Sequence, residues 1–463
     1  MSRALRAGLV AAILIVALAL RVAEVQRTGS YRPINDAGSY LTLASEIAHT
    51  GDYSLSHSPG KGAGGTRGPS AYFAPGYPYF LAAVDLVDGH ATRRGGAIHG
   101  ARIAQAVLGT TAVALVGLVA LELFGPTAGL IALILAAVYP VGVALSTVLV
   151  AENLLTPLVL GAVYAALRVR RARNANTARG WIAGAGVLTG LATITHENAV
   201  LIALPLVAAV WSQKPRLRPR SLAAPALLLA ATALAVLPWT IRNAVVMHSF
   251  FPVSDETGIT LVGTYNAASA TNPGVPYKWR IFYGIPGEGT LIGRASHLTE
   301  PQLSGKLQRQ ALHYIAQHPL SPLDVAYHNT RRLLELEGTF AWHASAAAIS
   351  LPIGLARYGV LGFWVICVLA LAGAFSRPVR AAPKWVWLVP LLLALSVVFV
   401  NVETPRFRAP VDPFLVLLAA AALTSAAARV RARLRDRAPV RGQRGDSVAA
   451  RPAQLVEMRE RLA

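Results

Sequence analysis

A small set of charged side chains beside apolar runs carries the chemistry that this sequence suggests. Asp36 lies shortly after the first apolar run, and Glu152 lies between two later ones. Arg406 and Arg408 lie in the segment that joins the last two runs. A carboxylate can take the proton of an attacking hydroxyl group, and guanidinium groups can bind a phosphate group bidentately. Charged groups at the mouth of an apolar bundle are costly unless they are paired, solvated or used, so they define the candidate site.

Each of these residues also has a simpler interpretation. Glu152 is either the solvated start of a helix or a second site carboxylate facing Asp36. Arg406 and Arg408 either hold a phosphate group or touch bulk lipid headgroups. Arg242 lies just outside another apolar run. It is weak evidence for a phosphate site by itself and stronger evidence together with Arg406 and Arg408.

Two further motifs are weaker. His196 and Glu197 begin like a zinc-protease motif, but Val200 stands where the second histidine is needed, so that interpretation fails. The pair is then either hydrogen-bonded and solvated at the outer end of a span or part of a ligand set. The glycine-rich run 60–65 contains Lys61 but lacks the residue order of a phosphate loop, which predicts a flexible loop.

The composition is that of a membrane protein. The chain has 463 residues, of which 54% are hydrophobic and 14% charged, and its mean hydropathy is +0.48. Apolar stretches long enough to cross a bilayer core recur along the chain, which predicts an all-α polytopic membrane protein with about ten transmembrane helices. The predicted spans are 5–24, 101–122, 127–148, 153–168, 180–196, 198–212, 222–241, 351–375, 385–402 and 409–428.

The net charge of +21 follows the predicted membrane topology along the chain, and this distribution argues against nucleic-acid binding. Basic residues gather at alternate span ends, as the positive-inside rule describes, which predicts a multi-pass protein of the cell membrane with both termini cytoplasmic. Residues 1–428 then form the membrane domain, and 429–463 form a basic, disordered cytoplasmic tail against anionic lipids. The only cysteine, Cys367, cannot form an intrachain disulfide.

Two long external segments follow from this topology, at 25–100 and 242–350. In the first, Tyr77 lies among prolines and aromatic residues typical of an interfacial loop before a membrane-surface helix. In the second, Thr299 has the spacing of a capping box, and Gly338 is predicted to close the next helix. We expect the second segment to pack on the bundle, because its own core is thin.

The ordered set of motifs resembles the GT-C superfamily of membrane glycosyltransferases, in particular bacterial relatives of protein O-mannosyltransferases and of lipid A aminoarabinose transferases. The motifs extend over nearly the whole bundle, and no single one is specific. They are Asn35-Asp36 with Tyr40, Pro75-Gly76-Tyr77-Pro78, Ala151-Glu152-Asn153-Leu154, Gly190-Leu191-Ala192 leading to Thr195-His196-Glu197, Trp239 to Asn243, and Pro405-Arg406-Phe407-Arg408-Ala409-Pro410. His196 departs from the pattern, since relatives commonly carry Arg-Pro before the glutamate.

This resemblance implies an inverting transfer of a sugar from a polyprenyl-phosphate donor to a hydroxyl group of a lipid, glycan or protein acceptor on the non-cytoplasmic face. Asp36 would be the catalytic base, and Arg406, Arg408 and Arg242 would hold the donor phosphate. Substrate contacts are expected from the remaining candidates, and a divalent metal fits the chemistry without being required. Those candidates are Glu152, His196, Glu197, Tyr77 and Glu403.

Two other classes of protein fit the same sequence. A polytopic lipid or solute transporter also carries charges at its mouth, although it should show helices broken near the bilayer midplane. A non-catalytic membrane scaffold needs no site at all. A transfer assay with polyprenyl-phosphate sugars separates the three classes.

Overall fold

The computed structural model describes residues 2–55, 66, 69–88, 94–211, 219–280 and 295–437. Within these ranges every regular element is a helix, as predicted. The helices are α1 (Arg3–Arg27), α2 (Asp36–Thr50), α3 (Gly76–Asp88), α4 (Arg94–Phe124), α5 (Pro126–Val138), α6 (Pro140–Leu145), α7 (Glu152–Val169), α8 (Ala175–Thr195), α9 (Ala203–Val210), α10 (Pro219–Val246), α11 (Thr257–Thr264), α12 (Ala267–Ala270), α13 (Glu300–Gln317), α14 (Ser321–Leu333), α15 (Thr339–Ala348), α16 (Ile353–Ala374), α17 (Arg377–Ala381), α18 (Trp385–Val398) and α19 (Asp412–Arg437). Short 3₁₀ turns cover Glu197–Ile202, Ala295–His297 and Pro405–Arg408.

Several helices are apolar enough to cross a membrane, so the multi-pass prediction is confirmed. The five long ones are Ala4–Arg27, Ile98–Phe124, Arg220–Val246, Ile353–Ala374 and Asp412–Leu434. The shorter apolar segments are Pro126–Val138, Glu197–Val210 and Trp385–Val398. The figure of about ten spans stays a prediction.

The predicted span 127–148 is wrong as a continuous helix, because the chain breaks between α5 and α6. Pro140 has no N–H group, so the carbonyl group of Ala136 loses its helical partner. Arg21 of α1 supplies the missing donors: its Nη2 lies 3.4 Å from the Ala136 carbonyl oxygen, and its Nη1 lies 3.2 Å from that of Ala137. An arginine that looks misplaced in an apolar helix therefore stabilises a helix break in its neighbour.

The bundle core is built by helices that pack in series. α4 packs on α5 and α7, α7 packs on α8, and α8 packs on α10, while α19 packs on α16 and α5. The α8–α10 contact depends on glycine, since a β-carbon at Gly186 would lie 2.4 Å from the carbonyl oxygen of Leu228. Small residues of this kind let two helix backbones approach closely.

Segments 25–100 and 242–350, which the sequence predicts to be external, each add a small core to the bundle. In the first, Tyr40, Phe73 and Tyr77 pack together with Trp239 of α10. In the second, α11 packs on α13, whose buried residues include Leu303, and side chains of the first segment join this cluster. The second segment therefore packs against the rest of the molecule, as expected from its thin core.

Several local predictions have clear outcomes. The capping box at Thr299 is confirmed, with its side chain and that of Gln302 bonding reciprocally. The prediction for Gly338 is wrong, because α14 ends at Leu333 and Gly338, at φ 88°, caps the start of α15 instead. The loop predicted at 60–65 lies outside the described residues. The last helix extends to Arg437, into the stretch predicted as a disordered tail, and 438–463 are outside the described residues.

Candidate active site

Asp36 occupies the first turn of α2, where the sequence showed no helical pattern before Tyr40. Asn35 precedes it at φ 49°, a left-handed conformation that asparagine tolerates. The side-chain nitrogen of Asn35 donates to the carbonyl oxygen of Ala348, at 2.9 Å, which ties this turn to α15. The N-terminus of a helix favours a negative charge, so this position suits an acidic side chain.

Arg406 is brought to Asp36 by the 3₁₀ turn that follows α18. Its Nη2 donates to Asp36 Oδ2, and its Nε lies 3.5 Å from Glu152 Oε1 without making a hydrogen bond. The Arg406 side chain is 7% exposed, whereas that of Asp36 is 32% exposed. Burial alone would lower the pKa of Arg406, but the two carboxylates outweigh it and raise that pKa above its usual value. The pair thus joins a buried cation to a carboxylate that solvent can reach.

This pair lines a cleft of about 250 Å³ that also includes Glu403 and Ile349. Glu403 lies 3.7 Å from Lys278 Nζ, and burial raises the pKa of Glu403 although that lysine opposes the shift. Arg406 also lines a second, larger and mostly apolar groove of about 540 Å³. The apolar walls of that groove come from α6, α15 and α16, and include Val141, Leu145, Trp342, Leu355 and Val360.

Arg408 points away from Asp36 into a separate ion-pair network. Its Nη1 donates to the carbonyl oxygen of Leu333 and lies 3.3 Å from Glu335 Oε1. Its Nε lies 3.1 Å from Asp412 Oδ1, and its guanidinium carbon lies 3.5 Å from the ring centroid of Phe363. These contacts leave its Nε without a hydrogen bond, and both Arg408 and Glu335 line the apolar groove that Arg406 lines. Binding a phosphate there would require Arg408 to exchange some of its partners.

Arg242 is likewise engaged by the protein. Its Nη1 donates to the carbonyl oxygen of Ser70 at 2.8 Å, and its guanidinium carbon lies 4.7 Å from the Trp239 ring centroid. A second contact, from Nη2 to the carbonyl oxygen of Tyr53, is 3.4 Å long. These bonds hold the first external segment on α10, and the structure does not bring Arg242 to Asp36.

Tyr77 packs behind the helix that carries Asp36. It is fully buried in α3, its hydroxyl group donates to Gln105 Oε1 at 2.6 Å, and its ring packs at 5.0 Å on that of Tyr40. Because Tyr40 lies one turn after Asp36 on α2, this contact positions the carboxylate. Tyr77 itself does not line the cleft.

His196 and Glu197 lie on the other side of the Arg406 turn. The His196 ring stands perpendicular to that of Phe407, with centroids 6.0 Å apart. Glu197 Oε2 accepts a hydrogen bond of 2.7 Å from Ser254 Oγ. His196 Nδ1 is buried without a hydrogen-bond partner in the part of the chain that the structure describes, and both interpretations of the pair stay predictions.

Glu256 is the acidic residue near this site that the sequence interpretation missed. It lies just before α11, and Thr260 Oγ1 donates to its Oε1 at 3.3 Å. Burial, together with the negative charges of Glu197 and Asp36, raises its pKa to about 8. The available signal in the sequence was the pair of adjacent acids, Asp255 and Glu256.

The site region has more carboxylates than cations. Among the residues that the structure describes, no group of three or more His, Cys, Asp or Glu side chains is placed to hold a metal ion.

Comparison with known proteins gives a consistent class. Residues 74–241 match the family model described as dolichyl-phosphate-mannose-protein mannosyltransferase. No curated protein matches the sequence.

Solved structures share the fold at low sequence identity. The oligosaccharyltransferase of Archaeoglobus fulgidus, tethered with an acceptor peptide, is 14% identical with a TM-score of 0.55, over 93% of this chain and 51% of that one. The oligosaccharyltransferase AglB from the same organism, in complex with an inhibitory peptide and a dolichol-phosphate, is 13% identical with a TM-score of 0.52, over 95% and 52%. ArnT from Cupriavidus metallidurans, bound to undecaprenyl phosphate, is 15% identical with a TM-score of 0.40, over 94% and 80%.

The family model over residues 74–241 and the shared fold agree with the resemblance to the GT-C superfamily that the sequence motifs indicated. The chain spans about half the length of the oligosaccharyltransferase chains that it matches.

Proposed function

We propose that this protein transfers a sugar from a polyprenyl-phosphate donor to a hydroxyl group of a lipid, glycan or protein acceptor on the non-cytoplasmic face of the cell membrane. The observation that carries the proposal is the contact between Asp36, which solvent can reach, and the buried Arg406. It places a proton acceptor and a phosphate-binding cation side by side in one cleft.

The chemistry follows from these two groups. The acceptor oxygen attacks the anomeric carbon while the bond from that carbon to the phosphate oxygen breaks, so the configuration inverts. The acceptor proton passes to Asp36, and the electron pair of the broken bond stays on the phosphate. The leaving group is already an anion, so a cation such as Arg406 helps it more than a general acid would.

The donor class is supported by the surroundings of Arg406. Its guanidinium lies where the apolar groove meets the Asp36 cleft, so a lipid chain could lie in the groove with its phosphate at Arg406. When a phosphate binds there, Arg406 gains an anionic partner besides Asp36 and Glu152, and Asp36 is freed to accept a proton. The complex of Archaeoglobus fulgidus AglB with a dolichol-phosphate has a ligand of this class.

The other candidate residues receive supporting roles. Glu152 holds Arg406 from its buried side, and Glu403 with Lys278 borders the cleft where the acceptor would enter. We assign the donor phosphate to Arg406 first. Arg408 and Arg242 stay predicted phosphate ligands that would have to leave their present partners.

The test of this function is a transfer assay in proteoliposomes with polyprenyl-phosphate sugars. We expect loss of donor and formation of a glycosylated acceptor. Asp36→Asn should lower turnover by about 10²–10⁴, because the amide keeps size and hydrogen bonding but cannot accept the proton. Asp52→Asn is the matched control, since it makes the same change at an exposed position outside the cleft. Donor movement across the bilayer without chemical change would favour a transporter, and an inert protein would favour a scaffold.

The proposed side of the membrane has its own test. In a background with Cys367→Ala, a cysteine at Lys306 of α13 should react with an impermeant thiol reagent in intact cells. A cysteine at Asn176, at the start of α8, should react only after the membrane is opened. The reverse pattern would place the site on the cytoplasmic face and contradict the proposal.

A further inference from the structure

A cleft of about 710 Å³ lies at the end of the bundle opposite Asp36. α7 begins at Glu152, beside Arg406, and ends at Val169, next to this cleft, with a length of 18 residues. At 1.5 Å per residue this length is about 27 Å, close to the thickness of a bilayer core. The two sites therefore lie at opposite membrane interfaces. We call this second site the basal cleft; it is lined by Glu122, Leu123, Leu167, Arg170, Arg171, Pro378 and Ala381 to Pro383.

The floor of the basal cleft is a built cluster of arginines. Glu122, whose side chain is 5% exposed, lies 2.9 Å from both Arg168 Nη1 and Arg171 Nε. Arg171 Nη2 also donates to the Glu122 carbonyl oxygen at 3.2 Å. One buried carboxylate thus fixes two guanidinium groups, and it is the only acid among the residues that line the cleft. Arg170 is exposed and forms no ion pair within the part of the chain that the structure describes.

Part of this positive charge interacts with the C-terminal carbonyl groups of nearby helices. α4 and α7 both end here, and their C-terminal carbonyl groups favour nearby cations. Lys384 is used in the same way, since its Nζ donates to the carbonyl oxygen of Arg380 at 3.0 Å. Arg170 makes no such contact with the described residues, which leave its guanidinium unpaired beside two that are already oriented.

The basal cleft also has apolar lining residues. They are Leu123, Leu167, Pro378 and Pro383, with Ala381 and Ala382. Arginines beside apolar residues match an amphiphile whose phosphate meets the arginines while its glycerol and upper acyl carbons contact the apolar residues. A free phosphate ion would use the floor alone.

We propose that the basal cleft binds the phosphate group of an anionic phospholipid of the leaflet opposite the Asp36 site. The phosphate lies between Arg170 and Arg171, and Glu122 keeps Arg171 in place. This site is separate from the donor-phosphate site and needs no catalysis to be observed.

Binding is tested by native mass spectrometry of the purified full-length protein with phosphatidylglycerol and with phosphatidylcholine. Wild type should retain phosphatidylglycerol in preference. Arg170→Ala/Arg171→Ala should weaken that retention, by roughly fivefold for each arginine removed. The matched control is Arg173→Ala/Arg179→Ala, which removes the same charge from exposed positions outside the cleft. Arg170→Ala alone is the second variant, because Arg170 holds no structural partner and its loss should not affect folding.

The outcomes separate the two sources of phosphate. Loss of phosphatidylglycerol in the cleft variants alone supports the lipid site. If lipid retention is unchanged but inorganic phosphate raises the unfolding temperature of wild type and not of Arg170→Ala, the site binds free phosphate, and the lipid assignment is overturned. Equal losses in the cleft and control variants would show general surface attraction, and no difference in any variant would leave the cleft without an anion; either result overturns the proposal.

Discussion

Arg406 and Arg408 share one 3₁₀ turn and have opposite surroundings. Arg406 meets Asp36, whose side chain is 32% exposed in a cleft. Arg408 meets Glu335 and Asp412, with its side chain 4% exposed against Phe363. Two arginines that look equivalent in the sequence are therefore placed in an accessible pair and in a closed network.

The difference shows how one turn can hold both a structural arginine, Arg408, and the arginine proposed to bind a ligand, Arg406. A buried ion network costs desolvation and is stable only when every charge in it is met, so Arg408 is expected to fix the turn between α18 and α19. That fixed turn presents Arg406 to the cleft. The accessible pair can exchange partners because Asp36 can be hydrated when Arg406 turns to a phosphate.

The largest expected effect comes from breaking the closed network. Arg408→Gln leaves Glu335 and Asp412 buried without their cation, and removing one partner of such a network typically costs about 3–5 kcal/mol. Equilibrium unfolding in mixed micelles should show this loss. Arg406→Gln is the control. It should cost less, because it leaves one buried carboxylate, Glu152, without its cation, whereas solvent can reach Asp36. Equal stability of Arg408→Gln and wild type would remove the structural role assigned to Arg408.

The next effect concerns the fork geometry of the accessible pair. Arg406→Lys keeps the charge but loses bidentate phosphate binding, and should weaken donor binding or turnover by about 1–3 kcal/mol. Arg408→Lys should lower stability while turnover per folded molecule stays near wild type. Kinetics with a polyprenyl-phosphate sugar, with variants matched for membrane abundance, test both. If Arg408→Lys lost turnover at full stability and Arg406→Lys did not, the two roles would be exchanged.

The sequence predicted the membrane class and several residues of the site, but not which arginine faces Asp36. Asp36 and Arg406 stood out because each follows an apolar run. The choice between Arg406 and Arg408 depends on Glu335, which is 73 residues away from Arg408 along the chain and shows no local pattern. Its nearer partner, Asp412, sits at helical i,i+4 spacing and was a signal that could have been used.

The helix break and Glu256 were missed for different reasons. Pro140 was visible in the sequence, but the apolar run around it continued, and hydropathy alone does not register a lost N–H donor. Arg21, which stabilises the break, is distant in sequence. Glu256 is placed by the packing of α11 on α13, and nothing near it in the sequence predicts that contact.

The smallest effect is a pH dependence that distinguishes the acids near each arginine. Burial raises the pKa of Glu256, near Arg406, to about 8 and that of Glu335, beside Arg408, to about 7. Both folded-state pKa values lie above the ordinary glutamate pKa. At any pH between the ordinary and the raised value, the folded protein therefore holds more protons than the unfolded chain. Their stabilising contribution is therefore complete below about pH 4.5 and is lost as pH rises to about 7 for Glu335 and 8 for Glu256.

Between pH 7 and 8 most of the loss in the free energy of unfolding should come from Glu256. Wild type should lose about 1 kcal/mol more than Glu256→Gln, since one proton changes stability by at most about 1.4 kcal/mol per pH unit. Glu335→Gln, the matched control, should keep the wild-type slope in this window and flatten it between pH 5 and 7. Unfolding at pH 5, 7 and 8 measures both, and a Glu256→Gln slope equal to that of wild type above pH 7 would mean that Glu256 is ionised and solvated beside Asp36.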